Sequence, residues 1–513
     1  MTQVPHLQDT PLVETDPDVD LFDRAFDRAA GATLTRRNAV RLLLDARENF
    51  PAWLASVAAA QRYILFESYI IADDRVGHQF IDALAERARA GVRVCVVYDW
   101  LGSTKRSTPW EALRAAGAEV RCFNPPSLDS PLAWLTRDHR KSIVVDGEVA
   151  YVSGLCVSTA WEGDRARRLE PWRDTGVELR GESVADIERA FGQVWRAAGG
   201  ADIETTPVPV STADDVRIRV IAGVPNSAST YRTDLLVAGL ARRTLWLTDA
   251  YFVGTSAYTQ ALRAAAHDGV DVRLLVPGAS DIPAVSPLSR AGYRALLEAG
   301  VRVFEWNGTM LHAKTAVADG RWSRVGSTNL NLASWISNYE LDVAIEDVEF
   351  AEAMAAQYEE DLTRATEIVL TRRNRVRRTE PRSAAEPDGA ARRAMSGSAG
   401  RAAAGAVSVG SALGAALTNR RTLGPAEAGL LTVVAVFTLA IAALSAWFPR
   451  ILAWPVAVLC GWLGLSWAWK AWVLWHRGSG TARNVERGER PSTVHAEAGG
   501  KDRKAAIIDN SRP

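Results

Sequence analysis

The sequence predicts an α/β protein: two tandem αβα halves forming one pseudo-twofold unit, followed by a carboxyl-terminal two-helix transmembrane hairpin. Three observations carry that reading. β-rich runs alternate with helical stretches through the first 370 residues, the alternation occurs twice with matching local sequence, and a long uncharged, tryptophan-rich stretch lies near the carboxyl end.

In the first half the apolar run Tyr63 to Tyr69 leads into the helical pattern HQFIDALAERARAG and then into the run Val92 to Tyr98. In the second, Leu245 to Tyr251 leads into YTQALRAAAHDG and then into Val270 to Val276. LRAAGAEVRCF, ending at Phe123, is answered by LLEAGVRVFEW, ending at Trp306. Gly91, Gly117, Gly269 and Gly300 stand where helices hand over to strands, the position at which a left-handed carboxyl cap favours glycine. Strands alternating with helices of this length predict βαβ units around a largely parallel sheet.

The 513 residues allow three or four units, and 48% hydrophobic with 23% charged residues is the balance of a globular chain. A small stapled scaffold and wholesale disorder are both excluded. Lys+Arg (60) offsets Asp+Glu (60), so attraction for nucleic acid or an anionic surface has to come from a local patch. Cys95, Cys122, Cys156 and Cys460 match neither a CxxC metal site nor a disulfide framework, which fits a reducing compartment. The acidic amino terminus has no basic region followed by an apolar one, so nothing in it directs export.

The organisation reads as an amino-terminal segment (1–37), half 1 (38–205), half 2 (206–370), an Arg/Ala/Gly-rich linker (371–425), the hairpin (426–475) and a disordered polar tail (476–513). Ala428 to Phe448 is 21 residues without a formal charge, as a helix about 31 Å and one hydrocarbon core long. After Pro449 and Arg450 a second uncharged run extends from Ile451 to Trp469, with Trp467, Trp472 and Trp475 around Lys470 at an interface. Arg420, Arg421, His476, Arg477 and Arg483 flank the pair while the turn carries only Arg450, which orients both flanks, and the region before them, to the cytoplasm. Eight arginines against three acids between Arg372 and Arg393 place a basic stretch beside an anionic leaflet.

The chemistry enters after each repeated stretch. Half 1 reads Asp138-His139-Arg140-Lys141, with Asp146-Gly147 following, and half 2 reads Leu311-His312-Ala313-Lys314, with Asp319-Gly320 following. On a strand of period two, His and Lys project together from one face. A single pair is a common accident; two at equivalent places in a duplicated unit are not.

With this duplicated HxKxxxxD motif the chain resembles the phospholipase D superfamily over roughly Asn38 to Leu362, and within it the bacterial cardiolipin synthases of phospholipase D type. Supporting segments are Ile70 to Asp74, Gly91 to Val94 with Tyr98-Asp99 and Gly102-Ser103, Arg137 to Lys141, Pro171 to Thr175, and Gly326 to Asn331 with Asn338 to Glu340. Two imidazoles and two ammonium groups in one cleft can transfer a phosphodiester without a metal or cofactor. The lysines offset charge accumulating on phosphorus, one imidazole attacks to form a phosphohistidine, and the other protonates the leaving alkoxide and later deprotonates the incoming alcohol. That cycle needs one neutral and one protonated imidazole, so their pKa values are expected to be pushed apart. The residues leave the order open; the resemblance implies His139 as nucleophile and His312 as acid/base, with Lys141 and Lys314 binding phosphate. It also implies Asp174 and Glu340 as the acids orienting the two imidazoles, and Ser327 and Asn329 as further substrate contacts. Asp146 and Asp319 read as structural turn residues.

The resulting expectation is a membrane-anchored phosphatidyltransferase making cardiolipin or a related phospholipid, with an anionic phospholipid such as phosphatidylglycerol as partner. Hydrolysis of the same intermediate is the competing reaction. A nuclease fits less well because the catalytic halves carry no basic stripe, and a non-catalytic lipid scaffold is prompted only by Cys156, which stands where half 2 has Asn329. The oligomeric state is not legible.

Overall fold

The computed structural model describes residues 17–103, 110–126, 135–203, 214–281, 285–370 and 376–378, with a few helical positions between Trp454 and Leu465. The expected hairpin (426–475) and tail (476–513) lie almost wholly outside the described residues, and among those described no helix is long and apolar enough to cross a membrane.

The chain enters through α1 (Pro17–Ala30). Half 1 then runs β1 (Thr35–Leu44), α2 (Asp45–Ala59), β2 (Tyr63–Ser68), α3 (Arg75–Arg89), β3 (Arg93–Asp99), α4 (Trp110–Ala115), β4 (Glu119–Phe123), β5 (Lys141–Val145), β6 (Val149–Ser153), α5 (Thr159–Glu162), β7 (Thr175–Gly181) and α6 (Ser183–Ala197). Half 2 repeats it with β8 (Val216–Gly223), α7 (Ser229–Leu240), β9 (Thr244–Thr248), α8 (Ser256–His267), β10 (Asp271–Pro277), α9 (Val285–Glu298), β11 (Arg302–Trp306), β12 (Thr315–Ala318), β13 (Trp322–Gly326), β14 (Glu340–Glu346) and α10 (Val348–Thr363). Two added strands, β15 (Ala365–Leu370) and β16 (Val376–Arg378), close the far edge. Half 2 therefore continues past residue 370 into the expected linker, because Val376 to Arg378 pair with Ile368 to Leu370.

All sixteen strands among the described residues join one sheet. From the central antiparallel pair β1 and β8, the order outward is β7-β6-β5-β2-β3-β4 on one side and β14-β13-β12-β9-β10-β11 on the other, the pseudo-twofold repeat expected from the sequence. The sheet is mixed, however, and not largely parallel. Only β2-β3-β4 and β9-β10-β11 run parallel, the strands that the repeated helical stretches connect. The motif strands β5 and β12 instead turn straight back as hairpins, since Asp146-Gly147 and Asp319-Gly320 all have φ between 53° and 70°, the paired positive values of a tight primed turn. The four cap glycines likewise have φ of 90–101°.

Helices cover both faces. α2 and α3 pack Phe50, Trp53 and Phe80 against one face of half 1, while α6 and α10 bring Trp195, Phe350 and Met354 into one core on the other face, shared between halves. α1 joins half 2 through Asp23 and Asp27, which pair with the buried Arg219 at 3.0 and 2.8 Å.

Asp146 anchors the first motif hairpin by accepting the backbone N–H groups of Gln61, Arg62 and Tyr63 at 2.7–2.8 Å. Asp319 does the same for Arg242, Arg243 and Thr244 at 2.7–2.9 Å. Each aspartate thus fixes the start of β2 or β9 beside the strand that follows HxK. Asp146→Ala strands three donors, of which the Tyr63 N–H belongs to a buried residue while Gln61 and Arg62 are exposed, and at about 1–3 kcal/mol for a buried unmet donor it is expected to lower unfolding free energy by about 1–3 kcal/mol, measured by urea titration; a loss near zero would assign the turn no anchoring role.

Candidate active site

Each HxK run is zipped to the opposite half. His139 N–H donates to the Tyr339 carbonyl (2.9 Å) and Tyr339 N–H to the Arg137 carbonyl (2.8 Å), beside Glu340 at the start of β14. His312 N–H donates to the Arg173 carbonyl (2.7 Å) and Arg173 N–H to the Met310 carbonyl (2.9 Å), beside Asp174 just before β7. Consequently each imidazole meets a carboxylate from the other half: His139 Nδ1 lies 2.9 Å from Glu340 Oε2, and His312 Nδ1 lies 2.8 Å from Asp174 Oδ2. Ser327 Oγ also donates to Glu340 (2.5 Å), and Trp161 Nε1 donates to Asp174 (2.8 Å). An imidazole held at Nδ1, as His139 is by Glu340, has its tautomer and orientation fixed and keeps Nε2 for chemistry; at His312 the Lys314 ammonium also stands 2.8 Å from Nδ1 and 3.1 Å from Nε2.

Lys141 and Lys314 are buried, and each ammonium donates to the backbone carbonyl of its own motif histidine. Each also lies against a tyrosine ring, Tyr69 at 5.4 Å and Tyr251 at 6.0 Å. The two pairs share one field, for Lys314 acts on His139 and Lys141 acts on His312.

Burial sets the protonation states. It pushes His139 down to about 4, with Lys141 and Lys314 opposing protonation and Glu340 favouring it. Burial and Lys314 push His312 down to about 3 against Asp174. Both imidazoles therefore fall together instead of separating, because both are buried beside ammonium groups. Burial would raise Asp174 and Glu340, but the facing imidazole and lysines hold both carboxyls below their usual range. Lys314 is itself pushed down to about 8 by burial.

The halves are not equivalent around the imidazoles. His312 is boxed by Trp161 (5.1 Å), Trp172 (5.7 Å) and Tyr251 (5.9 Å), whereas His139 packs on Tyr69 (5.0 Å) and is the more accessible, 12% exposed against 6%. Asn329 is buried with no hydrogen-bond partner at its Oδ1. Cys156 is also buried, and burial pushes its thiol up, away from a reactive thiolate. Gly154 lets the Asp174 carboxylate approach, since a Cβ there would come 2.2 Å from its Oδ1; one at Gly176 would meet Asn49 Oδ1 at 2.2 Å. Among the described residues no His/Cys/Asp/Glu cluster is arranged to hold a metal. Sequence reasoning missed Trp161, Tyr69 and Tyr251 as walls of the site; the two tyrosines closed the repeated apolar runs, a signal that was present.

A duplicated mixed sheet that crosses two His/Lys pairs with opposite-half acids defines a protein of the phospholipase D class. The crystal structure of phosphatidylserine synthase from Haemophilus influenzae Rd KW20 shares this fold, with a TM-score of 0.53 at 13% identity over 67% of this chain and 91% of that one. Residues 238–362 match the family described as cardiolipin synthase, PLD-like domain. Cardiolipin synthase A of Pseudomonas aeruginosa is 33% identical over 363 residues, 70% of this chain and 74% of that protein. The cardiolipin synthase of Geobacillus kaustophilus is 34% identical over 337 residues, 64% of this chain and 66% of that protein, so the chain spans about two thirds of that relative's length. The chain belongs to the PLD-like cardiolipin synthase family.

From the ordinary value of 6.5 down to about 4 for His139 and about 3 for His312, an unfolded chain binds protons that the buried imidazoles refuse, so their contribution to stability is full above pH 6.5 and falls as pH drops through those windows. Histidine ring NMR is expected to show two imidazoles still neutral at about pH 5, where an ordinary histidine is mostly protonated. Two ordinary titrations would remove the burial argument. Gly154→Ala is expected to displace Asp174 and cut turnover by about tenfold or more while His139 keeps its titration, because only the His312 support is touched.

Proposed function

We propose that this chain is a membrane-anchored phosphatidyltransferase that makes cardiolipin or a related phospholipid from an anionic donor such as phosphatidylglycerol. The observation that carries the reading is the crossed support of the two imidazoles, each oriented at Nδ1 by the other half's carboxylate, with two buried ammonium groups in one field. Family membership supports the same activity.

His139, the more accessible imidazole, attacks phosphorus through Nε2. The phosphorus–oxygen bond to the donor's glycerol breaks, and that oxygen takes a proton from His312, releasing glycerol and leaving a phosphatidyl group on His139. The hydroxyl of a second lipid then gives its proton to His312 as its oxygen displaces His139 from phosphorus. A phosphodiester anion in the site favours the protonated imidazole that the first step needs, offsetting the burial that pushes His312 down. Lys141 and Lys314 balance the growing charge on phosphoryl oxygens, and Ser327 and Asn329 serve the substrate side, Ser327 through Glu340. The Trp161 and Trp172 rings beside His312 keep water from the acid/base, which favours transfer over hydrolysis. The uncharged runs within 426–475 supply the membrane anchor as a two-helix hairpin with the catalytic region cytoplasmic.

Purified protein with phosphatidylglycerol vesicles is expected to yield cardiolipin and free glycerol in equal amounts; glycerol without cardiolipin would make the chain a hydrolase. His139→Ala and His312→Ala are each expected to lower turnover by about 10³ or more. Acid-labile phosphorus label should be retained on the chain by His312→Ala and not by His139→Ala; the reverse pattern would exchange the two roles. Since Lys314 loses its charge above about 8, donor affinity is expected to weaken as pH rises through that value.

A further inference from the structure

Arg173, the residue before Asp174, is buried, and its guanidinium reaches into both halves of the chain. Its Nε donates to the two Asp361 oxygens on α10 at 3.0 and 3.1 Å, and Gln357 Nε2 steadies the same carboxylate at 2.9 Å. Its Nη1 donates to Asp45 Oδ1 (3.3 Å), to Thr175 Oγ1 (2.9 Å) and to the Asp174 carbonyl. Asp45, where β1 passes into α2, closes on Asp174 as well: its N–H donates to the Asp174 carbonyl and its Oδ1 accepts the Asp174 N–H, both at 3.0 Å. Making these contacts holds Asp45 in the left-handed region (φ 55°), an unfavourable backbone for a residue with a Cβ. From this geometry we propose that Asp45 and Asp361 are positioning residues: through Arg173 and the Asp174 peptide they set the carboxylate and the imidazole of the His312 side, and leave the His139 side alone.

Arg173 transmits the effect because its own groups are built into the site. Its N–H bonds the Met310 carbonyl, its carbonyl takes the His312 N–H, and its guanidinium grips the Asp174 carbonyl. A buried guanidinium that loses one of its carboxylates keeps an unmatched charge and re-aims toward the other. The Asp174 peptide turns with it. Asp174 Oδ1 accepts the Thr175 N–H and Oδ2 faces His312 Nδ1, both at 2.8 Å, so a turn of that peptide swings the carboxylate off the imidazole. In half 2 the place of Arg173 is taken by Tyr339, which makes the matching backbone bridge to Arg137 and His139. There the Glu340 carbonyl is held by Arg140, whose other partners are the carbonyls of Ala190 and Gly223 and the Gln193 side chain. Glu340, Ser327 and Arg140 thus support His139, while Asp45, Arg173 and Asp361 support His312. A change in one set reads out first at one imidazole.

The test uses the full chain with ¹⁵N-labelled histidine and the isosteric changes Asp361→Asn and Asp45→Asn; asparagine tolerates the left-handed backbone at 45 and keeps Oδ1 as an acceptor. In Asp361→Asn the ring nitrogens of His312, assigned by their loss in His312→Ala, are expected to shift while those of His139 stay in place. Equal shifts at both imidazoles, or none at His312, overturn the proposal. Should Asp361→Asn fail to fold, Asp45→Asn carries the same comparison; if neither folds, the set serves the fold alone and the proposal fails. The effect on turnover rests on the proposed transferase reading. With phosphatidylglycerol, kcat is expected to fall about tenfold or more and KM to change less than about threefold, because the proton and not the phosphodiester is mishandled. A phosphatidyl ester of p-nitrophenol needs no proton on its leaving oxygen. Its first-turnover release of p-nitrophenolate should keep the wild-type rate in Asp361→Asn, while later turnovers, which take a proton from the acceptor hydroxyl, slow about tenfold. Slowing of both phases by one factor would refute the link to His312. A wild-type chain whose variants show the selective ring shift but that makes no cardiolipin would fail the transferase reading alone.

Discussion

The whole site depends on one constraint: the carboxylate that orients each imidazole belongs to the other half of the chain. Asp174 and Glu340 can reach His312 and His139 only if the two halves of the sheet are continuous through β1 and β8 and the backbone bridges at Tyr339 and Arg173 are made. Those bridges place each acid beside the histidine it serves, so the geometry at phosphorus is set by main-chain pairing and not by loops. The aspartates of the motif work one step removed, holding the motif hairpins against β2 and β9.

Much of this was legible in the sequence. The duplication, the two His/Lys pairs and the glycine caps rest on local patterns that survive without knowledge of the fold, whereas Asp174 and Glu340 came only from the family resemblance. What local pattern could not supply was strand direction. Asp-Gly after the motif run is a hairpin signal, and reading the βαβ alternation across it made the sheet too parallel. The protonation of the imidazoles was likewise out of reach, since it follows first from burial, with the motif's own lysine and then the other half's adding to it.

Departures from internal symmetry carry chemical meaning here. The aromatic box around His312 and the thiol of Cys156 against the amide of Asn329 both distinguish two otherwise matching sites. A symmetric cradle would bind a phosphodiester in two orientations. Under the proposed mechanism these differences give the halves separate tasks, one accepting phosphorus and the other moving a proton.

The exchange of acids between halves also governs how this sequence can change over generations. A substitution that shifts Glu340 is felt at His139, two hundred positions earlier in the chain, and one that shifts Asp174 is felt at His312. Neither repeat is free to drift by itself, because the acid that its histidine needs is encoded in the other; the exchange of partners made the two halves inherit as one.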